Sequence, residues 1–550
     1  MPNLYNMKYI ITLLLSFLSF SSFSQTNYDT SASVSIPLEG WNKLLLMKNG
    51  NTMLFHFEPR KGIVVKVFDK SHKEIASEKH ICKILDINAL DRSEIKGIFE
   101  VNNEAVLFIE QAVDNRQSLI RLRIDATNAS LIEEKIIVQS TSLGNITQCY
   151  VLKDQNSDNY SIFCYRDVKR HPSSKIELLQ YNEKNEMVRD IPLNINIDGF
   201  EYLTLEDVNI ATDGTACITL CLANLKANRA SYLTSIYSRR LVFAYLPKSR
   251  DRFLTVASDI PDDIIPYYTN FTVDSAHRHL NLLLEASSQE TLFQDGNMNL
   301  LRFLNPYLFI FDSTNLNIRA SMLVNNKIND YIRHFNVPYS SFAGIPVKMF
   351  TNAVGLTTVI YEEYARNTNI NIQSSSRVTD LGAIGITQYD DTGGESWGIA
   401  LPKTQIINGL LSPTEISDRG VSKYLFRRNP TLNFQDQFAS ITCYNNNDRY
   451  YIFYNDFAKN YNNTIDSPGA YVSDYDYKKA FFYTDAFYYK MDQDRVVKKY
   501  YLFSTNSGDE SKSNLLESAD YDQESGTYVT LMLHRRGKEF TTNVAWCHLE

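Results

Sequence analysis

Residues 53–73, MLFHFEPRKGIVVKVFDKSHK, decide how the rest of the chain is read. The stretch holds an apolar run ending on Glu58, a short loop, an alternating run that closes on Phe68-Asp69, and a polar turn. Short runs of β-branched and aromatic residues bounded by turn residues predict strands. With one such run before it and another after it, the stretch predicts a four-stranded antiparallel unit. Aligned on their apolar strand, loose copies begin at Met53, Ala105, Tyr160, Ala216, Leu280, Thr357, Tyr450 and Tyr528, by subtraction at steps of 52, 55, 56, 64, 77, 93 and 78 residues. A unit recurring at such a period stacks against its own neighbours.

The copied strands MLFHFE, AVLFIEQ, YSIFCYRD, ACITLCLAN, LNLLLEA, TTVIYEEY, YYIFYND and YVTLMLHR are largely apolar on both faces. That suits a sheet packed between two others. The third strands close at Phe68-Asp69, Ile124-Asp125, Tyr181-Asn182, Phe311-Asp312, Tyr389-Asp390 and Met491-Asp492, and the fourth unit, with Leu246-Pro247, departs. Asp or Asn there accepts from backbone amides two residues on and shapes a tight turn. The last unit has no fourth strand of its own, and Ala32–Leu38 (ASVSIPL) is a strand-like run without a unit. Pairing the two closes a ring and removes two exposed edges. The expected fold is all-β: a β-propeller of eight blades, or seven if one copy is misread, closed by the N-terminal strand in the last blade.

By its repeat, the aromatic-Asp close of its third strands and its shared last unit, the span from Ala32 to Glu550 resembles the β-propeller superfamily, loosely in the manner of WD40 and Kelch proteins. The Gly-His of WD40 repeats and the double glycine of Kelch repeats are missing, so the resemblance implies an architecture and neither family's activity.

At the N-terminus one positive charge in Met1–Lys8 precedes an apolar run of 12 residues, Tyr9–Phe20, and a small-residue stretch to Ser24. That run is short of the roughly 20 residues needed to cross a bilayer. It predicts a secretory signal over 1–24 and a single domain over 25–550, exported to the periplasm or outer surface of a Gram-negative bacterium with no transmembrane segment in the mature chain. A net charge of −8 argues against nucleic acid, which wants clustered cations. Of seven cysteines, Cys149, Cys164, Cys217, Cys221 and Cys443 fall in predicted strands as small buried hydrophobes, and Cys149 and Cys164 stand on adjacent strands where a disulfide could form. With neither CxxC nor a Cys/His cluster, no metal and no cofactor are expected.

Insertions favour one face of the ring. Turns on the other face are short, as in NGN at Asn49, NNE at Asn102 and DG at Asp213. The connections between second and third strands grow instead, at Ala223–Arg240, Glu285–Pro306, Tyr361–Asp380 and Asn455–Lys479. Between blades, Asn325–Gly344 and Pro402–Gln437 enlarge the same face, with a short helix expected over Lys327–Phe335. Long loops on a rigid frame are where sites sit. Several second strands end on an acid at this face, and with neighbouring Arg and Tyr they make the binding candidates Glu110, Arg166, Asp167, Glu285, Glu362, Tyr364, Asp456 and Tyr461. The alternative for the acids is polar strand ends meeting water.

Catalytic signatures are missing: no GxSxG, HExxH, P-loop or GxGxxG occurs. QDGNMN, with Asp295, Asn297 and Asn299, lacks the closing acid of a calcium loop and reads as a turn. His56, in an apolar strand, reads as a satisfied core residue, and Glu362 and Glu363, adjacent on a strand, should face opposite ways. No catalytic residue is assigned. The expectation is a noncatalytic binding or scaffold protein of the envelope whose partner is an envelope protein or a surface polysaccharide. The alternative is a carbohydrate-active enzyme, hydrolase or lyase, with acids converging from several blades at the channel mouth.

Overall fold

The computed structural model describes residues 26–34, 40–58, 60–140, 148–154, 157–166, 175–195, 199–200, 202–210, 214–227, 234–259, 264–273, 279–288, 305–312, 317–333, 342, 344–352, 354–371, 374–408, 423–424, 438–461, 483–503 and 510–549. Eight antiparallel sheets follow one another along the chain as the blades of a propeller. Blade one is built from Trp41–Leu46, Thr52–Glu58, Gly62–Phe68 and Glu74–His80. Its last counterpart, blade eight, takes Glu510–Asp522, Thr527–Arg536 and Glu539–His548 from the C-terminal end.

The outermost strand of blade eight is Asn27–Thr30, in antiparallel register from Asn27 opposite His548 to Thr30 opposite Ala545. It lies upstream of the expected Ala32–Leu38. An outermost strand faces water, so the polar NYDT serves there better than the apolar run that hydrophobicity singled out. Ser31 and Val34 still donate their amides to Val544 and Thr542 carbonyls at 2.9 and 2.7 Å, and residues 35–39 are outside the described residues.

The doubly apolar strands have the packing they need. Met53, Phe55 and Phe57 join Ala105, Leu107 and Ile109 of blade two in one core cluster. Leu54, pointing the other way, meets Leu531, Leu533 and Trp546 of blade eight. Alternation along one strand thus feeds two inter-blade cores. At the seam of first and last blades, Trp546 donates its Nε1–H to Thr52 Oγ1 at 2.9 Å. Burying an aromatic body while satisfying its polar edge is how a large Trp fits a core.

The face with the short turns keeps them short. On the opposite face two of the expected loops are continuations of the strands. In blade four, Ala216–Ala227 and Thr234–Leu246 run on past the first strand, with four further rungs from Asn224 opposite Ser238 to Ala227 opposite Thr234. In blade six, Thr357–Asn371 and Ser374–Tyr389 pair from Tyr364 opposite Leu381 to Asn371 opposite Ser374, beyond the end of the first strand. A strand at Gln405–Asn408 flanks part of that extension, from Leu381 back to Val378, and among the described residues the last four rungs form a two-stranded arm. Four rungs at about 3.4 Å each project such an arm about 14 Å.

The connection from blade six to blade seven also reaches across the ring, where Lys423–Tyr424 pairs with Ile95 and Glu94 on the innermost strand of blade two. The expected short helix is Asn326–Ile332, with Ile328 and Ile332 buried. Glu395 accepts from its first two amides, Asn326 at 3.1 Å and Lys327 at 3.0 Å, where an acid is favoured. Cys149 and Cys164 are register partners in blade three, buried and unjoined, with their sulfurs 3.7 Å apart. Among the described residues no helix is long and apolar enough to cross a membrane. The expected signal over 1–24 and the turn at Asp295 lie outside the described residues.

Candidate functional site

At the elaborated face three of the acids at or near the ends of second strands, Glu110, Glu362 and Asp456, are buried. Glu362, on the second strand of blade six, is fully buried. Lys403, equally buried, pairs with its Oε1 at 2.7 Å, and Ser440 donates to its Oε2 at 2.5 Å. Lys403 also donates to the Leu381 carbonyl at 3.2 Å and to Gln405 Oε1 at 3.1 Å. Gln405 accepts from the Ser440 amide at 2.9 Å and donates to the Asn455 carbonyl at 2.7 Å. From Asn455 the chain of bonds passes to Asn514 in blade eight, amide to side-chain oxygen at 2.8 Å, and on to Tyr528 at 2.8 Å. Blades six, seven and eight are thereby tied by one buried polar network, whose members fix a single arrangement because each lost bond would leave a desolvated group.

Glu363 follows a register shift in its strand that lies between Glu362 and Tyr364. Half-buried beside Gly382, it accepts from the Ala383 amide at 3.2 Å. Burial pushes its carboxyl up to about 7, the amide bond offsetting part of that.

A second cluster belongs to blade seven. Asp456 is buried, and its Oδ1 accepts from the Phe457 amide at 2.7 Å and from Asn460 Nδ2 at 2.8 Å. Its Oδ2 has no hydrogen-bond partner. Burial raises its pKa, partly opposed by the Lys499 charge. Lys499, on Val497–Tyr501, donates to the Asn460 carbonyl at 2.9 Å. Its Nζ is 5.2 Å from the ring centre of Phe487, 5.7 Å from Tyr461, 5.8 Å from Tyr489 and 6.0 Å from Tyr454. Ring faces attract a cation, but they replace water poorly. Desolvation wins, and the amine falls to about 8 even with Asp456 nearby.

Blade two solves the same problem in miniature. Buried Glu110 is held by Lys96 at 3.1 Å and by Gln117, which donates to Oε1 at 2.6 Å, and Lys96 also pairs with Glu94 at 2.6 Å.

The candidates therefore have unequal fates. Glu110, Glu362 and Asp456 are buried, so the alternative of strand ends in water fails for them: each has a cation or an amide donor close by. Tyr364 is buried in a core cluster that takes in residues of blades one, six and eight, because the expected loop at Tyr361 continues as strand. Tyr461 lies half-buried, its ring 4.1 Å from that of Tyr501. Arg166 ends the second strand of blade three and Glu285 lies within that of blade five, both placed by backbone alone, while Asp167 is outside the described residues. Reading the sequence missed Lys403, Gln405, Ser440, Asn514 and Lys499. Spacing leaves one trace, since Lys403 and Gln405 are two apart and share a side of an extended chain. His56 is buried as expected, but only Nδ1 is bonded, to Asn42 Oδ1 at 2.8 Å, and Nε2 has no partner. Among the described residues no three His, Cys, Asp or Glu side chains are grouped to hold a metal ion.

No family model matches the sequence, and no curated protein matches it. Solved structures do. The chain is similar to polysaccharide lyase Uly1 at 9% identity and a TM-score of 0.36, over 83% of this chain and 90% of that one. To prolyl oligopeptidase B from Galerina marginata the values are 9% and 0.38, over 95% of this chain and 58% of that one. To the WD40 domain of SCAP from fission yeast they are 8% and 0.33, over 95% and 98%. Likeness at this level concerns the architecture alone.

Proposed function

We propose that this eight-bladed propeller is an exported binding protein that grips a partner in the cell envelope, a protein or a surface polysaccharide, with its elaborated face. The observation that supports this reading is the pair of arms. In blades four and six two paired strands run past their own sheets, and among the described residues no further strand pairs with their last four rungs, an arrangement that serves recognition by added strands and does nothing for the ring. The paired residues of the blade-six arm are Thr368–Asn371 (TNIN) and Ser374–Arg377 (SSSR), rich in hydroxyl and amide groups, and those of the blade-four arm are Asn224–Ala227 (NLKA) and Thr234–Ser238 (TSIYS), with Lys226 and Tyr237. Both segments carry hydrogen-bonding side chains. The reading of the face as a glycosidase or lyase site is not favoured, because Glu110 and Glu362 are each engaged by a buried lysine.

The test shortens each arm to a tight turn at the last rung supported by the sheet and compares crosslinked partners from intact cells, together with binding of isolated surface polysaccharide. Loss of one partner or of polysaccharide binding at unchanged Tm is the expected result. Unchanged recovery of every partner and unchanged polysaccharide binding with both arms removed overturns the proposal.

A further inference from the structure

We propose that Lys499 is a nucleophilic amine that condenses with small aldehydes, with the Asp456 carboxyl handling the protons. Asn460 places the two groups together, donating through Nδ2 to Asp456 Oδ1 at 2.8 Å and accepting from Lys499 Nζ through its carbonyl at 2.9 Å. That carbonyl is the amine's only hydrogen-bond acceptor among the described residues, and the rest of its surroundings is four aromatic rings. Such walls deprive an ammonium of water without the close anion that would hold it charged. Asp456 Oδ2 is buried and has no hydrogen-bond partner, and Asn460 is the residue that links its carboxyl to the amine. A cation kept purely for structure would be expected to have its carboxylate satisfied and in direct contact.

The chemistry balances without any oxidant. The neutral amine attacks the carbonyl carbon, forming the C–N bond as the C=O pair moves to oxygen and takes up the proton shed by nitrogen. Asp456 then protonates the resulting hydroxyl, which leaves as water. Nitrogen loses its remaining proton back to Asp456 and C=N is left, so amine plus aldehyde gives imine plus water. With the amine near 8, about one Lys499 in ten is neutral at pH 7, against roughly one in three thousand for an ordinary lysine.

Lys499 belongs to blade seven and the arms to blades four and six, so its labelling is read independently of them. The probe is glycolaldehyde with cyanoborohydride on the purified full-length protein, reading the reductive label at each lysine by peptide mass spectrometry. Lys499 should be labelled at least tenfold faster than the median lysine at pH 7, with a rate that rises through a midpoint near 8. Labelling at or below the median overturns the proposal, and that result needs no variant. Asp456→Asn should slow labelling at Lys499 tenfold with the other lysines unchanged. An unaltered rate in that variant, confirmed as folded by its Tm, removes Asp456 from the step.

Discussion

The two faces of the ring both carry acids, one set at the ends of third strands and one at the ends of second strands, and they are handled in opposite ways. Asp69 accepts from the amides of Ser71 at 2.9 Å and Lys73 at 3.0 Å. Asp390 repeats this with Thr392 at 2.8 Å and Gly394 at 2.9 Å, and Asn182 with Lys184 and Glu186, both at 3.0 Å. These groups stay in water, and the bonds from neighbouring residues hold Asp69 and Asp390 below the usual carboxylate range. On the other face burial pushes Glu110 and Asp456 upward, and the partner of Glu362 at Ser440 is 78 positions away. The same residue type closes a turn where its partners are local, and locks blades together where they are distant. Water decides which: an exposed acid needs only shaping, whereas a buried one needs compensation from whatever part of the chain is near.

The sharpest way to break this contrast is to remove one compensating cation. Lys403→Met leaves the Glu362 carboxylate buried beside Ser440 alone, and stranding a buried charge costs about 3–5 kcal/mol. Urea denaturation should show that loss, and the double variant Glu362→Gln/Lys403→Met should recover part of it. A loss under about 1 kcal/mol would mean that water reaches Glu362, and the two faces would then differ only in loop length.

Acidity separates the faces next. For the turn aspartates the folded pKa lies below the unfolded value near 3.8, so their stabilisation is present above that pH and is lost as pH falls through the folded values. Glu363 has the reverse sign. Its folded value of about 7 exceeds 4.5, so its protonated form stabilises fully below 4.5 and that contribution disappears as pH rises to 7. Two and a half pH units correspond to about 3 kcal/mol at most. His56 opposes it over nearly the same window: burial lowers it from 6.5 to about 4, the unfolded chain binds the extra proton, and stability falls as pH drops from 6.5 to 4. Tm against pH for Glu363→Gln should therefore show a gentler decline from 4.5 to 7 than the parent, while His56→Gln should show a smaller loss on acidification. Curves that superimpose on the parent would put both side chains in contact with water.

How far the sequence could be read follows the same division. Blades were legible because each strand alternates apolar residues onto two neighbours, a pattern that Met53, Leu54 and Phe55 carry in three consecutive positions. Third-strand turns were legible because Asp69 and its donors fall within five residues. Locality ends at Glu362. Its cation, Lys403, comes from the connection after the blade's last strand, and no period links the two. The arms escaped notice for a different reason: a segment such as TNINIQSSSR has only Ile370 and Ile372 as apolar residues, too few to mark a strand, and Thr368–Asn371 and Ser374–Arg377 are strands through backbone pairing. Asn27–Thr30 was passed over for the same cause.

The smallest effect is the most exacting check on the turn side of the comparison. Asp125 accepts from the Thr127 amide at 2.7 Å and the Asn128 amide at 3.1 Å, and both donors can turn to water once the carboxylate is gone. Asp125→Ala should accordingly cost about 1 kcal/mol, the scale of exchanging an exposed side-chain bond for hydration. Because the next donors along the chain are unaffected, Ala129 should keep its amide on the Asp125 carbonyl, now 3.1 Å away, and the left-handed turn at Ala129 should persist. Hydrogen exchange at Ala129 then reports on the turn independently of global unfolding. Slow exchange there with a small stability loss means that the backbone sets the turn and the aspartate only tightens it. Fast exchange with a loss above about 3 kcal/mol would make the turn acids as indispensable as the buried ones, and the contrast between the two faces would reduce to the distance their partners lie along the chain.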